Sequence, residues 1–340
     1  MSRFKLKPYA IRLYQQGNTD DKFDLSAIVR SEDSFDDSYF ADDYGMGTTL
    51  IDVFQDYCEV WHDNPVNDQD RERTLSLADD PEADDDEEQP YLRRDEENNI
   101  LEGVFKYGVY GTSADHLDPD TGEREEGARS ADEAAETPIP FLLHIPERNP
   151  RKAVMVLESV GTAGVKSLVE QEFRKALPNG VQYKFPPVKE EDVYSRIRAA
   201  DEITRVRLGQ SGRVSERNDT LDGIFDGRLC NQSTIYDPTD RGISIDVDAL
   251  ESWIEGADDD ENPFNFEDET FELFNITIKE SGSEKTIYLT NREVKIVETL
   301  DDINTEGGYP VPSDVSRRAR VFVNEEVPFA GGLDSSSPLL

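Results

Sequence analysis

The sequence predicts an α+β protein: a mixed, mainly antiparallel sheet with a few packed helices and acidic surface insertions. Three observations carry this. Segments with the two-residue alternation of strands outnumber those with helical periodicity. Strand and helix signals do not alternate regularly along the chain, which argues against a doubly wound parallel sheet. A hairpin signal at 274–289 joins two alternating runs around a single glycine, Gly282.

The first strand-like segment runs from 4 to about 30. Tyr9, Ile11 and Leu13 share one face, and Arg12 and Tyr14 the other. Residues 48–61 carry a helical stripe of Leu50, Phe54, Tyr57 and Trp61. The interval 63–89, with its run Asp84-Asp85-Asp86-Glu87-Glu88, is too polar to bury a face and reads as a loop. Strand character returns at 100–110, where Gly103 and Gly108 suit a bent or bulged strand. A second acidic insertion at 112–137 reads as a surface loop. Strands then follow at 140–145 and 151–160, the second almost continuously apolar.

Residues 161–164 form a turn into a helix over 165–177, with Val165, Leu168, Val169, Phe173 and Ala176 on one face. Pro178-Asn179-Gly180 stops it, and a strand resumes at 181–185. In the hairpin, Ile276 and Ile278 alternate, as do Ile287 and Leu289, and 291–300 adds a third strand. The last element is a helix beginning near Pro312-Ser313-Asp314, with Ser313 as its expected N-cap. There is no internal repeat. These breaks divide the chain into an α/β segment (1–62), an acidic loop (63–99), a central β-rich unit (100–220), a C-terminal hairpin and helix (221–330) and a loose tail (331–340).

Composition bounds the surroundings. The chain has 75 acidic and 36 basic residues, a formal net charge of −39 over 340 residues. The excess acid is spread along the whole length, and arginine exceeds lysine 24 to 12. Carboxylates hold water and hydrated cations, whereas long lysine stems add apolar surface that salt drives together. This composition resembles that of haloarchaeal proteins, which work in molar salt. There the Debye length is about 3 Å, so most self-repulsion is screened. The expectation is a halophilic, cytoplasmic protein whose fold depends on salt; a nucleic-acid mimic would need its acids ordered along one face. No apolar run approaches the ~18 residues that span a bilayer. The opening Met1-Ser2-Arg3-Phe4-Lys5-Leu6-Lys7-Pro8 lacks the apolar core of a secretory signal. Cys58 and Cys230 have no metal-like spacing and read as reduced thiols.

Three patterns invite chemistry. Gly161-Thr162-Ala163-Gly164-Val165-Lys166-Ser167 sits at a strand-to-helix turn, where helix-terminal N–H groups favour anions. Gly161, Gly164 and Lys166 are therefore a candidate anion site. It departs from a phosphate loop, because two residues rather than four separate the glycines and Val165 precedes the lysine. Glu158, at the end of the preceding strand, is either a site residue or a solvated carboxylate. Glu293-Val294-Lys295 places a carboxylate and an ammonium on one side of a strand, as in the Glu-x-Lys element of restriction-type nucleases that bind Mg²⁺. Glu293 and Lys295 are the candidate catalytic pair of that reading. His62, His116 and His144 are scattered; His144 reads as a core or edge residue rather than a base, and no Ser/His/Asp or Cys/His set assembles.

The third pattern is electrostatic. Residues 184–217 hold eight cations (Lys184, Lys189, Arg196, Arg198, Arg205, Arg207, Arg213, Arg217) against six acids, a local +2. In a strand over 203–208, Arg205 and Arg207 point the same way, opposite Val206. Planar guanidinium groups suit phosphate or carboxylate. Arg196, Arg198, Arg205 and Arg207 are the candidate partner-binding residues, and pairing with the chain's own acids is the alternative.

The order of elements at 103–111, 141–146, Glu158-Ser159-Val160-Gly161-Thr162-Ala163-Gly164-Val165-Lys166 and 203–208 resembles a group of uncharacterised prokaryotic proteins that accompany mobile-element and antiviral-defence genes. The resemblance covers 100–210 and Gly308-Tyr309-Pro310, implies a defence-associated role and transfers no catalytic residues. The expected function is a non-enzymatic binding component. Other proteins are its expected partners, with nucleic acid through 184–217 as a second class and no membrane; no cofactor or metal is indicated. The competing readings are the metal-dependent nuclease and a structural or accessory protein of a haloarchaeal virus.

Overall fold

The computed structural model describes residues 4–28, 48–83, 89–117, 119–160, 164–188, 193–213, 229–236, 245–247, 265–266, 269–270, 273–280, 283–289, 294–300, 302–327 and 329–340. The fold is α+β, mainly antiparallel sheet with four helices among the described residues. The chain divides into two units, one of Met1–Pro187 with Asp302–Leu340, the other Val188–Asp301. These boundaries differ from those read at 62, 99 and 220. The chain leaves the first unit and returns to it, an arrangement that no local shift in composition reports.

The first unit begins with β1 (Phe4–Gln15), β2 (Asn18–Lys22), α1 (Leu50–Asp63), β3 (Val66–Asp68), β4 (Arg73–Leu77) and β5 (Leu92–Asp95). It continues through β6 (Ile100–Val109), β7 (Ala114–Leu117), β8 (Arg124–Arg129), β9 (Ala135–His144), β10 (Ala153–Val160), α2 (Lys166–Ala176) and β11 (Val181–Lys184). The second unit holds α3 (Val193–Ala199), β12 (Glu202–Arg213), β13 (Leu229–Tyr236), β14 (Leu273–Glu280), β15 (Ser283–Leu289) and β16 (Val294–Thr299). The last helix, α4 (Pro312–Glu326), belongs to the first unit again.

In the first unit the sheet order is β1-β10-β9-β6-β4-β3, and each neighbouring pair is antiparallel. Strand alternation sorts the side chains. Leu101, Phe105, Phe141, Leu143, Met155 and Leu157 join the core beneath α1 and α2. Their alternates, including Glu102, Leu142 and Val156, turn to the opposite face, where α4 packs on β9 and β10. Both faces are thus covered, which is why Ala153–Leu157 of β10 is a continuous apolar run. Phe54 of α1 is central, with ring centroids 5.2 Å from Phe173, 5.9 Å from Phe141 and 6.2 Å from Trp61.

Helix α1 begins with a capping box: Thr49 Oγ1 accepts from Asp52 N at 3.2 Å, and the Asp52 carboxylate accepts from Thr49 N. Thr49→Ala is expected to cost about 1 kcal/mol in urea denaturation; an unchanged midpoint would show the cap to be dispensable.

Several expectations are corrected. The interval 63–89 is not all loop, since β4 pairs with β6 and buries Leu75 and Leu77. Residues 84–88 lie outside the described residues. The 112–137 insertion contains an exposed hairpin, β7 with β8, and its end already belongs to β9. Ser313 is not the cap of α4: Val311 holds that position and Pro312 opens the helix. Proline's fixed φ suits the first helical position, where its missing N–H costs nothing. The tail is not loose. Asn324 Oδ1 accepts from Gly332 N and Leu333 N, Asn324 Nδ2 donates to Leu333 O, and Leu339 N donates to Glu102.

The second unit's sheet runs β13-β12-β14-β15-β16, again antiparallel. One face is apolar, with Val206, Ile276, Ile278, Ile287 and Leu289 packed with Ile197 of α3 and Val247.

Candidate functional site

The opposite face of that second sheet carries the candidate site. Register sets Arg207, Asn275, Tyr288 and Lys295 in one cross-strand row, with Ile235 of β13 on the far side of Arg207. The next row contains Arg205, Thr277, Thr286 and Val297. The row between them, Val206, Ile276, Ile287 and Ile296, points into the core. Arg205 and Arg207 therefore share a face opposite Val206, as the alternation predicts.

The chemistry of this face is mixed. Arg207 is exposed and makes no ion pair among the described residues, and Arg205 is half-buried. Burial pushes the Tyr288 hydroxyl above its ordinary value, while the nearby Arg207 guanidinium works against that rise. Thr277 Oγ1 and Thr286 Oγ1 lie 3.2 Å apart. Asn275 is 6% exposed, and its Oδ1 is buried without a hydrogen-bond partner. Such an acceptor is costly unless a donor reaches it. At the edge, Ile235 is 51% exposed. Among the described strands β13 pairs only with β12. The face can present guanidinium donors, the half-buried hydroxyls of Thr286 and Tyr288 and the apolar surface of Ile235 to one partner.

The remaining sequence candidates are not gathered there. Arg196 donates to Glu280, and buried Lys285 lies 3.3 Å from the same carboxylate. Burial pushes Glu280 up, but these two cations outweigh it and hold the carboxyl below its usual range. Arg196 is thus an internal partner rather than a contact residue, while Arg198 is exposed on α3. Lys184 belongs to the first unit, where its Nζ stands 5.2 Å from the Tyr14 ring centroid. The stretch 184–217 is therefore split between two units, and Lys189 and Arg217 lie outside the described residues.

The anion candidate has its lysine engaged. Lys166 pairs with Glu170 one turn along α2, and its Nζ stands 5.5 Å from the Phe185 centroid and 5.9 Å from that of Tyr9. Gly161 lies outside the described residues, and a Cβ on Gly164 would meet only Ser159, at 3.9 Å. In the nuclease pair, Glu293 lies outside the described residues, and Lys295 is placed by register opposite Tyr288. Among the described residues no group of His, Cys, Asp or Glu is arranged to hold a metal, and no helix is long and apolar enough to cross a membrane.

Four ionisable residues of the first unit carry more than their local sequence signals. Glu102 and Arg320 form a buried ion pair. Glu158 is 1% exposed, and burial raises its carboxyl to about 8. His144 is 6% exposed; burial lowers it to about 4, and its Nδ1 lies 3.3 Å from Asn99 O. No motif marks any of them, because burial is set by pairing across the sheet. Searches against known proteins give no match, either to a protein-family model or to a curated protein.

Proposed function

We propose that this chain is a non-enzymatic binding component whose contact surface is the polar face of the second unit's sheet. The observation that carries this is the juxtaposition of Arg205 and exposed Arg207 with Tyr288 on one face of the sheet. Arginine and tyrosine are the residue types that dominate protein interfaces, because each combines a large contact area with directed hydrogen bonds. A protein partner is favoured over nucleic acid. A chain of net charge −39 repels a phosphate polymer at low salt, and high salt removes the counterion-release gain that drives such binding. The defence against viruses or plasmids implied by the resemblance in element order is the setting proposed for this role.

The test is affinity purification from the source cells with wild-type chain and with the double substitution Arg205→Glu, Arg207→Glu, alongside titration with a twenty-nucleotide oligo-dT. A protein captured by the wild type and lost by the double variant supports the reading. Identical captured proteins with both chains, or oligo-dT binding that the substitutions abolish, would overturn it.

A further inference from the structure

The first unit contains a pocket of about 580 Å³, lined by residues of that unit alone. His144 closes it from the end of β9, residues 146–149 form one wall, and Phe329 with 331–333 forms another. Its walls are fixed by side-chain hydrogen bonds. Asp95 accepts from Asn98 N at 3.0 Å and from Asn98 Nδ2 at 2.6 Å, holding the turn whose Asn99 has φ 51°. Asn324 holds 332–333 through three hydrogen bonds of 2.7–2.8 Å. Pre-formed walls and a volume within the ~300–1,000 Å³ of small-molecule sites are what a ligand pocket requires.

The lining specifies what fits. The His144 Nδ1–H donates to Asn99 O, so the neutral ring offers only the lone pair of Nε2, to which no described residue donates. His144 lines the pocket, so a ligand N–H or O–H that enters it can donate to this lone pair. Arg148 is exposed on the wall and makes no ion pair among the described residues, so it is available to an anionic group. Lys152 adds a second cation nearby, its Nζ 5.1 Å from the Phe329 ring centroid. Glu147 beside Arg148 can accept from hydroxyls. Pro146, Phe329 and Leu333 supply apolar surface for a flat ring.

We propose that this cavity binds a nucleoside monophosphate, with a base N–H on His144 Nε2, ribose hydroxyls on Glu147, the ring against Phe329 and the phosphate on Arg148. A free amino acid lacks the diol, and inorganic phosphate uses only Arg148. The test is calorimetric titration of the full chain with AMP, CMP, GMP and UMP, and with adenosine and inorganic phosphate as controls. At least one nucleotide is expected to bind saturably, and Arg148→Ala and His144→Phe are each expected to weaken it by about tenfold or more. Arg148→Ala should leave adenosine binding unchanged. Because Arg148 is exposed, that variant keeps its fold, which its melting temperature verifies. Absence of binding by all four nucleotides at millimolar concentration overturns the proposal, and so does nucleotide affinity untouched by Arg148→Ala. Equal affinity for inorganic phosphate also overturns it.

Discussion

Glu102→Ala is expected to destabilise the protein by about 3–5 kcal/mol, the range found when one partner of a buried ion pair is removed. Glu102 is fully buried and Arg320 is 2% exposed. The carboxylate accepts from Arg320 Nε at 2.7 Å, Ser316 Oγ at 2.6 Å and Leu339 N at 2.9 Å, so it ties α4 and the tail to β6. The guanidinium also donates to Asp334 O at 2.9 Å, while its Nη2 is buried without a partner. Deleting the carboxylate strands a charge that is already incompletely satisfied. The double variant Glu102→Ala, Arg320→Met removes both charges, and it should recover much of the loss because no buried ion remains. Urea denaturation of the three chains measures the cycle. A single-variant loss below about 1 kcal/mol would contradict the account, since that is the range of exposed pairs.

The second large effect depends on pH. Both Glu158 oxygens are buried without hydrogen-bond partners, and burial alone lifts the carboxyl from an ordinary 4.5 to about 8. In the folded chain the group is neutral at pH 7, whereas unfolded it is ionised. Between these values the native state holds one more proton than the unfolded state, so stability falls as pH rises. The slope approaches about 1.4 kcal/mol per pH unit, and the contribution is fully present below 4.5 and lost above about 8. His144 titrates in the opposite sense at lower pH, its folded value depressed to about 4. Comparison with Glu158→Gln cancels that background. The glutamine variant should lack the downward slope and exceed the wild type in stability at pH 9. Denaturation midpoints at pH 6, 7, 8 and 9 decide the matter; parallel profiles for the two chains would mean that Glu158 is ionised throughout.

How much of this was legible depends on the range of the interaction. β1, α1, β10 and the β14–β15 hairpin were readable because their periodicity lies within a dozen residues. β4 was not, because Arg73-Thr74-Leu75-Ser76-Leu77 is short and sits in an acidic interval; it is a strand because β6 is there to pair with it. Arg205 and Arg207 were placed on their common face by alternation alone. The pairing of Arg196 with Glu280 spans 84 residues, so no local pattern names that partner. The Lys166–Glu170 pair was readable at i, i+4 and competes with the anion reading of the turn.

The sequence by itself determined the fold class, the acidic solvent-facing character and the local elements, because alternation and helical stripes are properties of neighbouring residues. Tertiary structure alone decided which charged side chains lie inside. Glu102 and Glu158 carry the same label as dozens of other acidic residues, and only strand register places them inside. Desolvation depends on what lies across the sheet, and sequence proximity does not encode that distance.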